Sequence, residues 1–270
     1  MSGCPSVCSF LGSHWRSTAV LSVAVVLTLG SLSAVKAEVI FDNTPAPLPG
    51  NIPSLGYQAN QTSEFGNKIS FAGTNRNLAS VEIVMSDWAN QSDWPGMGDA
   101  TGYDHPITLN FYNPGSGTTV GTLIASKTET VHVPWHTANG SGGTAFPVDF
   151  DFTGVTVPDT VIFGVAYNTQ TYGANPIGAP GPYISLNYGV ATVAPSVGTD
   201  VNPDDEYWNT TTASNYADGG TAGVGIFRED TGWAPDAAAI QVNAVPEPTS
   251  IALLALGSLV LLCRWRRATT

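Results

Sequence analysis

Apolar and polar residues alternate with a period of two along much of this chain. Phe146-Pro147-Val148-Asp149-Phe150-Asp151-Phe152 does so without a break, which predicts a strand with one face in a core and the other in water. Ile107-Thr108-Leu109-Asn110-Phe111-Tyr112 behaves likewise. Val81-Glu82-Ile83-Val84-Met85 follows suit with one apolar residue, Val84, on the outer face. Val161-Ile162-Phe163-Gly164-Val165-Ala166-Tyr167 is apolar throughout and reads as a central strand covered on both sides. Further strands are expected at Lys68–Phe71, Thr122–Thr128, Tyr183–Tyr188, Val224–Phe227 and Ala239–Ala244.

Turn clusters separate these runs: Asn113 to Gly117, Asn139 to Gly143, Asn175 to Pro182 and Ala217 to Gly220. Glycine supplies positive φ there and proline sets the bend. No stretch between residues 38 and 243 shows a helical period with caps. About nine short strands with such punctuation predict an all-β fold, an antiparallel β-sandwich. The strand number and the long loops favour a jelly-roll over an immunoglobulin-like topology. Asp42 to Gly56 is proline-rich and is expected to be extended.

Two terminal segments break the pattern. Near the start, Arg16 precedes an apolar run from Ala19 to Leu32, followed by Ser33-Ala34-Val35-Lys36-Ala37. A basic region, an apolar core and a small-residue site make residues 1–37 a signal peptide, with cleavage between Ala37 and Glu38. No cysteine follows the apolar run, so a lipoprotein junction is excluded. At the other end, Val245-Pro246-Glu247-Pro248-Thr249-Ser250 leads into the apolar run Ile251–Cys263, then Arg264-Trp265-Arg266-Arg267. The two prolines keep the junction extended and accessible. The apolar run is about 13 residues, or roughly 20 Å as a helix, short against a hydrocarbon core of about 30 Å. Arg264, Arg266 and Arg267 suit a cytoplasmic stop, which places the body outside and the tail end inside. The expected organisation is a signal peptide (1–37), a β-sandwich body (38–243) and a sorting and anchoring tail (244–270), the body flanked by a signal helix and a hydrophobic helix.

The combination of Pro246-Glu247-Pro248, a short hydrophobic helix and a terminal arginine cluster resembles the PEP-CTERM sorting domain. That resemblance implies export, a temporary inner-membrane anchor, and processing by an exosortase, a membrane cysteine transpeptidase. It also implies a destination at the surface or in the extracellular matrix of an exopolysaccharide-producing Gram-negative cell. It covers only the tail. Within the body, Asn67 to Trp88, Gly121 to Ala125 and Val165 to Thr169 resemble secreted β-sandwich modules of unassigned function.

Composition narrows what the body does. Only 11% of residues are charged, against the roughly 25% usual for soluble domains. All 21 acidic residues lie between Glu38 and Glu247. Lys68, Arg76, Lys127 and Arg228 are the four basic residues of that span, so its net charge is −17. Such a body repels nucleic acid and anionic membrane surfaces. The three cysteines, Cys4, Cys8 and Cys263, fall outside it, so it has neither a disulfide framework nor a thiol nucleophile and stands on its apolar core.

Candidate chemistry is sparse. His132-Val133-Pro134-Trp135-His136 has the spacing of two zinc ligands on a helix, but Pro134 and the strand context remove the helix. No serine lies in a nucleophile elbow. Glu64, Glu82, Glu129, Glu206 and Glu229 could supply a glycosidase pair, but solvated surface charge is the better reading of them. Asp200, Asn202 and Asp204 open like a calcium loop, but Asp205 stands where glycine is needed and Thr211 where a bidentate glutamate is needed. An EF-hand is therefore excluded, and an irregular calcium site is the metal alternative. Asp87, Asp93, Asp99 and Asp104 form a looser acidic loop. Trp88, Trp94, Trp135, Trp208 and Trp233, with Tyr103, Tyr172 and Tyr207, fall in or beside loops, where they either cap the sandwich or stack on sugars. No catalytic residue is assigned. The leading expectation is a non-catalytic surface or matrix protein with no obligatory cofactor, followed by a carbohydrate-binding module for exopolysaccharide and then by a secreted hydrolase.

Overall fold

The computed structural model describes residues 36–136, 142–209 and 227–246. The chain divides into a unit over Met1–Lys36 and a body from Ala37 onward, and every strand among the described residues belongs to the body. The expected signal helix and hydrophobic tail helix lie outside the described residues, as does most of the strand expected at Val224–Phe227. Among the described residues no helix is long and apolar enough to cross a membrane.

The body runs β1 (Glu38–Asp42), β2 (Ser54–Gly56), β3 (Glu64–Gly66), β4 (Lys68–Ser70), β5 (Asn77–Asp87), β6 (Gly102–Pro114), β7 (Val120–Pro134), β8 (Thr144–Asp151), β9 (Thr160–Ala166), β10 (Leu186–Ala191), β11 (Thr199–Asp200), β12 (Asp205–Asn209), β13 (Phe227–Thr231), β14 (Ala237–Ala238) and β15 (Ile240–Val245). Among the described residues all pairings are antiparallel, in one seven-stranded and one eight-stranded sheet. The first sheet contains the order β2-β10-β5-β8. The second contains β3/β4-β9-β6-β7, with β3 and β4 keeping one register against β9 across Asn67. Strands that alternate between two four-stranded sheets in this order make a jelly roll. Added to that frame, β14 and β15 wedge beside β10 and β5, and β1 closes outside β15. Strands β11, β12 and β13 extend the second sheet.

The period-two pattern explains the core. Val81, Ile83 and Met85 of β5 and Phe146, Val148 and Phe150 of β8 meet Leu109 and Phe111 of β6 and Val161, Phe163 and Val165 of β9 in one buried cluster. Phe111 and Phe152 pack edge to face at 5.1 Å. Val84 points the other way, into a small second cluster with Ile52, Ala191 and Ala239, because the proline-rich 43–53 segment folds over that face. Ile162 also points outward, and Tyr112, Tyr207 and Phe227 cover it. The continuous apolar run of β9 thus reflects burial on both faces. The strand expected from Tyr183 begins only at Leu186, since Pro182 opens a single 3₁₀ turn over Pro182–Ser185.

The long axis of β5 defines two poles about 35 Å apart, at roughly 3.3 Å per residue. At the Asn77 pole, Glu38 of β1 pairs with Ala244 of β15, and Val245 pairs with Asn77. Both ends of the body therefore leave from this pole. At the Asp87 pole the segments 57–63, 88–101 and 167–185 gather with Trp135 and His136.

Candidate functional site

The Asp87 pole concentrates the unusual chemistry. Asp87 continues the inward parity of Val81, Ile83 and Met85, and His105 continues that of Ile107, Leu109 and Phe111, so both polar groups are carried into the end of the core. Asp87 is fully buried. The Tyr103 hydroxyl donates to its Oδ1 at 2.9 Å, and the Ala89 amide donates to Oδ2 at 3.2 Å. Burial pushes the Asp87 carboxyl up to about 7, against the lowering effect of these donors. The Tyr103 hydroxyl is raised as well, by its own burial and by the Asp87 charge. His105 stacks on Tyr183 at 5.4 Å and meets Tyr167 edge-on at 6.0 Å. Its Nε2 makes no hydrogen bond among the described residues, and burial lowers its pKa to about 4. Tyr57 and Tyr167 stack at 4.1 Å and donate to the Val165 and Leu186 carbonyls at 2.6 Å each, which seals the core beneath this pole.

These two groups act on stability with opposite sign. The Asp87 pKa is raised, so its contribution is complete below its ordinary value of 3.8 and is lost as pH rises through about 7. Glu206 and Asp200 are also raised by burial and add in the same direction. The His105 pKa is lowered, so its contribution is present above 6.5 and is lost as pH falls toward about 4. The melting temperature of the body is therefore expected to rise as pH falls from about 8 to about 6.5, below which His105 opposes the rise. Asp87 titration supplies about 1.4 kcal/mol per pH unit at most. Asp87→Asn should remove a large part of that slope in thermal melts; an unchanged slope would show that Asp87 is not the titrating group.

On the surface of the same pole, Trp88 is 40% exposed. Its ring stacks on His136 at 6.3 Å and 13°, and its indole N–H donates to Ser54 Oγ at 3.4 Å. His136 Nδ1 bonds Asn90 Oδ1 at 2.9 Å, while its buried Nε2 makes no hydrogen bond among the described residues. Asn187 and Ser54 are bonded at 3.1 Å beside the ring, and Ser86 donates to Asn51 at 3.4 Å. A β-carbon on Gly143 would lie 2.5 Å from the Trp88 indole nitrogen, so only glycine leaves this ring its place. An aromatic plate framed by carboxamides and hydroxyls can bind a polar ligand by stacking and hydrogen bonds.

The other expected aromatics cap the sandwich. Trp135, Tyr103, Tyr172 and Tyr207 are buried. Trp208 and Trp233 pack edge to face at 5.4 Å and lie half-buried against the core, as Trp94 does. The two histidines of the 132–136 segment serve different loops. His132 bonds Asp104 at 2.9 Å and Thr101 at 2.9 Å, away from the Trp88–Asn90 partners of His136. Of the acidic residues of the 87–104 loop, Asp87 is in the core and Asp93 bonds Asn90, whereas Asp99, which caps Thr101 and Gly102, and Asp104 both lie against His132, at 3.9 and 2.9 Å. An apolar cleft of about 170 Å³ lies under the proline-rich segment, lined by Pro45, Pro49, Pro53 and Val190, and offers no titratable group.

A second polar knot lies in the eight-stranded sheet. Asn67 Nδ2 donates to Asp200 Oδ2 at 3.0 Å and to the fully buried Glu206 Oε1 at 2.9 Å. Asn202 turns its amide to Glu229 at 2.6 Å. Asp204 is exposed, and its backbone carbonyl accepts from Gly232 and Trp233. The Asn202 backbone amide also donates to Asp200 Oδ1 at 3.2 Å, so these two candidates are joined in one turn. Among the described residues no group of three or more His, Cys, Asp or Glu side chains is placed to hold a metal ion. Glu64 is also buried, accepting from Asn110 at 3.0 Å and Tyr112 at 2.9 Å. Glu64 and Glu206 are named from the sequence but taken there for surface charge; their burial escapes notice because β3 and β12 are too short to show a period.

The body is a jelly-roll module with its termini at one pole and its exposed aromatic and amide groups at the other. The C-terminal segment matches the PEP-CTERM protein-sorting motif over residues 244–267, which makes the chain an exported protein sorted by exosortase. No curated protein and no solved structure matches the chain.

Proposed function

We propose that the protein is a non-catalytic interaction module of the cell surface or extracellular matrix, and that its partner is the exopolysaccharide of its host. The observation that carries this reading is the exposed Trp88 plate with its amide and hydroxyl frame, at the pole opposite the end of β15. A neutral or cationic glycan suits it, because the net charge of the body repels polyanions. Residues 1–37 act as the signal peptide, cut between Ala37 and Glu38. The tail holds the precursor in the inner membrane until exosortase acts at Pro246-Glu247-Pro248, with Arg264, Arg266 and Arg267 on the cytoplasmic side.

The test is retention of the mature protein, recovered from its own host, on purified host exopolysaccharide. Trp88→Ala is expected to weaken retention about tenfold, equivalent to about 1.4 kcal/mol, while the body still melts cooperatively. Equal retention of the two proteins, or none by the native one, would remove the exopolysaccharide reading.

A further inference from the structure

The strand that leads into the sorting motif is clamped on both sides. Val39↔Asn243 and Glu38↔Ala244 pair β15 with β1, and Ala244↔Leu78 and Val245↔Asn77 pair it with β5. Pro246, the first motif residue, follows Val245 with no spacer. A protease cleft takes its substrate extended over several residues, at about 3.3 Å each. Residues up to Val245 are held in a hydrogen-bonded ladder and are not free to enter such a cleft.

The chain leaves through a collar of tied loops. Asn75 Nδ2 donates to Glu38 Oε2 at 2.7 Å. Arg76 pairs with Asp159 at 2.8 Å and donates to the Gly73 and Asn75 carbonyls at 2.9 and 2.7 Å. The Phe71 amide donates to the Asp159 carbonyl at 2.9 Å, and the Val157 amide to the Arg76 carbonyl at 3.0 Å. Asn77 bridges Thr156. Thr74, Pro158 and Asp159 project from this braced rim into solvent.

We propose that this collar is a docking surface for the exosortase, which reads the motif and the folded pole together. The proposal rests on residues 244–267 being a sorting motif. With no spacer, any enzyme seated on Pro246-Glu247-Pro248 must touch the rim around Thr74 and Pro158. Because the rim is cross-braced, it presents a preformed surface and loses little freedom on contact. Contact at the collar also raises the local concentration of the motif at the enzyme.

The experiment follows processing of the full-length chain in its host by pulse-chase. One variant carries about eight Gly/Ser residues between Val245 and Pro246. A second is Thr74→Arg with Pro158→Arg, and a third combines the two changes. The spacer and the double substitution should each slow processing about fivefold, and the combination should slow it no further. The released bodies should melt alike. Faster processing of the spacer variant would overturn the proposal, since it would mean the fold obstructs the enzyme and the end of β15 has to fray. Native-rate processing of Thr74→Arg/Pro158→Arg would overturn it as well. A host without exosortase must accumulate the precursor; if it processes the chain normally, the sorting reading itself falls and the docking with it.

Discussion

Deletion of Glu38–Asp42 is expected to abolish cooperative folding of the body at 37 °C. Those five residues are β1, and they carry two fully buried side chains, Ile40 and Phe41. Phe41 belongs to the main core. The Ile40 carbonyl accepts from Ala72 at 2.8 Å, and the Asp42 carbonyl accepts from Ser196 at 2.8 Å, so β1 also ties down two loops. Removing it would bare the edge of β15, a partly apolar strand, to pairing with other chains. Phe41→Ala alone should cost about 3–5 kcal/mol, a large share of the 5–15 kcal/mol that stabilises a typical domain. Urea unfolding of the mature protein measures this directly. A loss under about 1 kcal/mol would show that β1 is an appendage. The prediction bears on export, because cleavage at Ala37–Glu38 leaves β1 whole, whereas a cut five residues later would discard it.

Parts of this architecture are legible in the residues themselves. Strand β8 has one wet face, so its alternation is strict and its inward residues can be read off; β5 and β6 keep the same inward parity, although Val84 and Tyr112 are covered on their outer faces. The same parity carries Asp87 and His105 inward; it was available in the pattern, and the turn-like Asp-Trp-Ala-Asn that follows Ser86 concealed it. Short β3, β12 and β13 were not legible, because three to five residues cannot establish a period and their buried Glu64 and Glu206 look like surface charge. Those carboxylates become explicable only through distant donors: Asn110 and Tyr112 for Glu64, and Asn67 for Glu206. The jelly-roll order follows from pairings such as Glu64 with Ala166 and Ser54 with Gly189, separated by over a hundred residues. Local propensity carries no record of such pairings. The aromatic loops were visible as a group, yet which ring stays exposed depended on packing: Trp88 rests on His136, while Trp135 tucks under the rim with its N–H on the Asp99 carbonyl at 2.8 Å.

Gly66→Ala is expected to be the most damaging single-methyl change in the body. A β-carbon there would lie 1.9 Å from the Phe163 carbonyl oxygen, 2.7 Å from its carbon and 2.9 Å from the Gly164 Cα. All three are backbone atoms of β9, a central strand whose other side is paired with β6, so no side chain can swing away to make room. The strand pair must separate instead. Asn67, the next residue, would move with it, and Asn67 is the side chain that donates to both Asp200 and the buried Glu206. A buried carboxyl that loses its donor adds about 1–3 kcal/mol to the steric cost. A total above about 4 kcal/mol is expected, in the range reserved for a clash compounded by a broken buried network. For a domain of this size it should appear as a drop of about 10–15 °C in melting temperature. Gly50→Ala, where a β-carbon meets nothing within 4 Å, should leave the melt unchanged. A Gly66→Ala protein that melts within about 3 °C of the native one would mean that β3 does not approach β9 so closely, and the burial of Glu64 and Glu206 would then need another explanation.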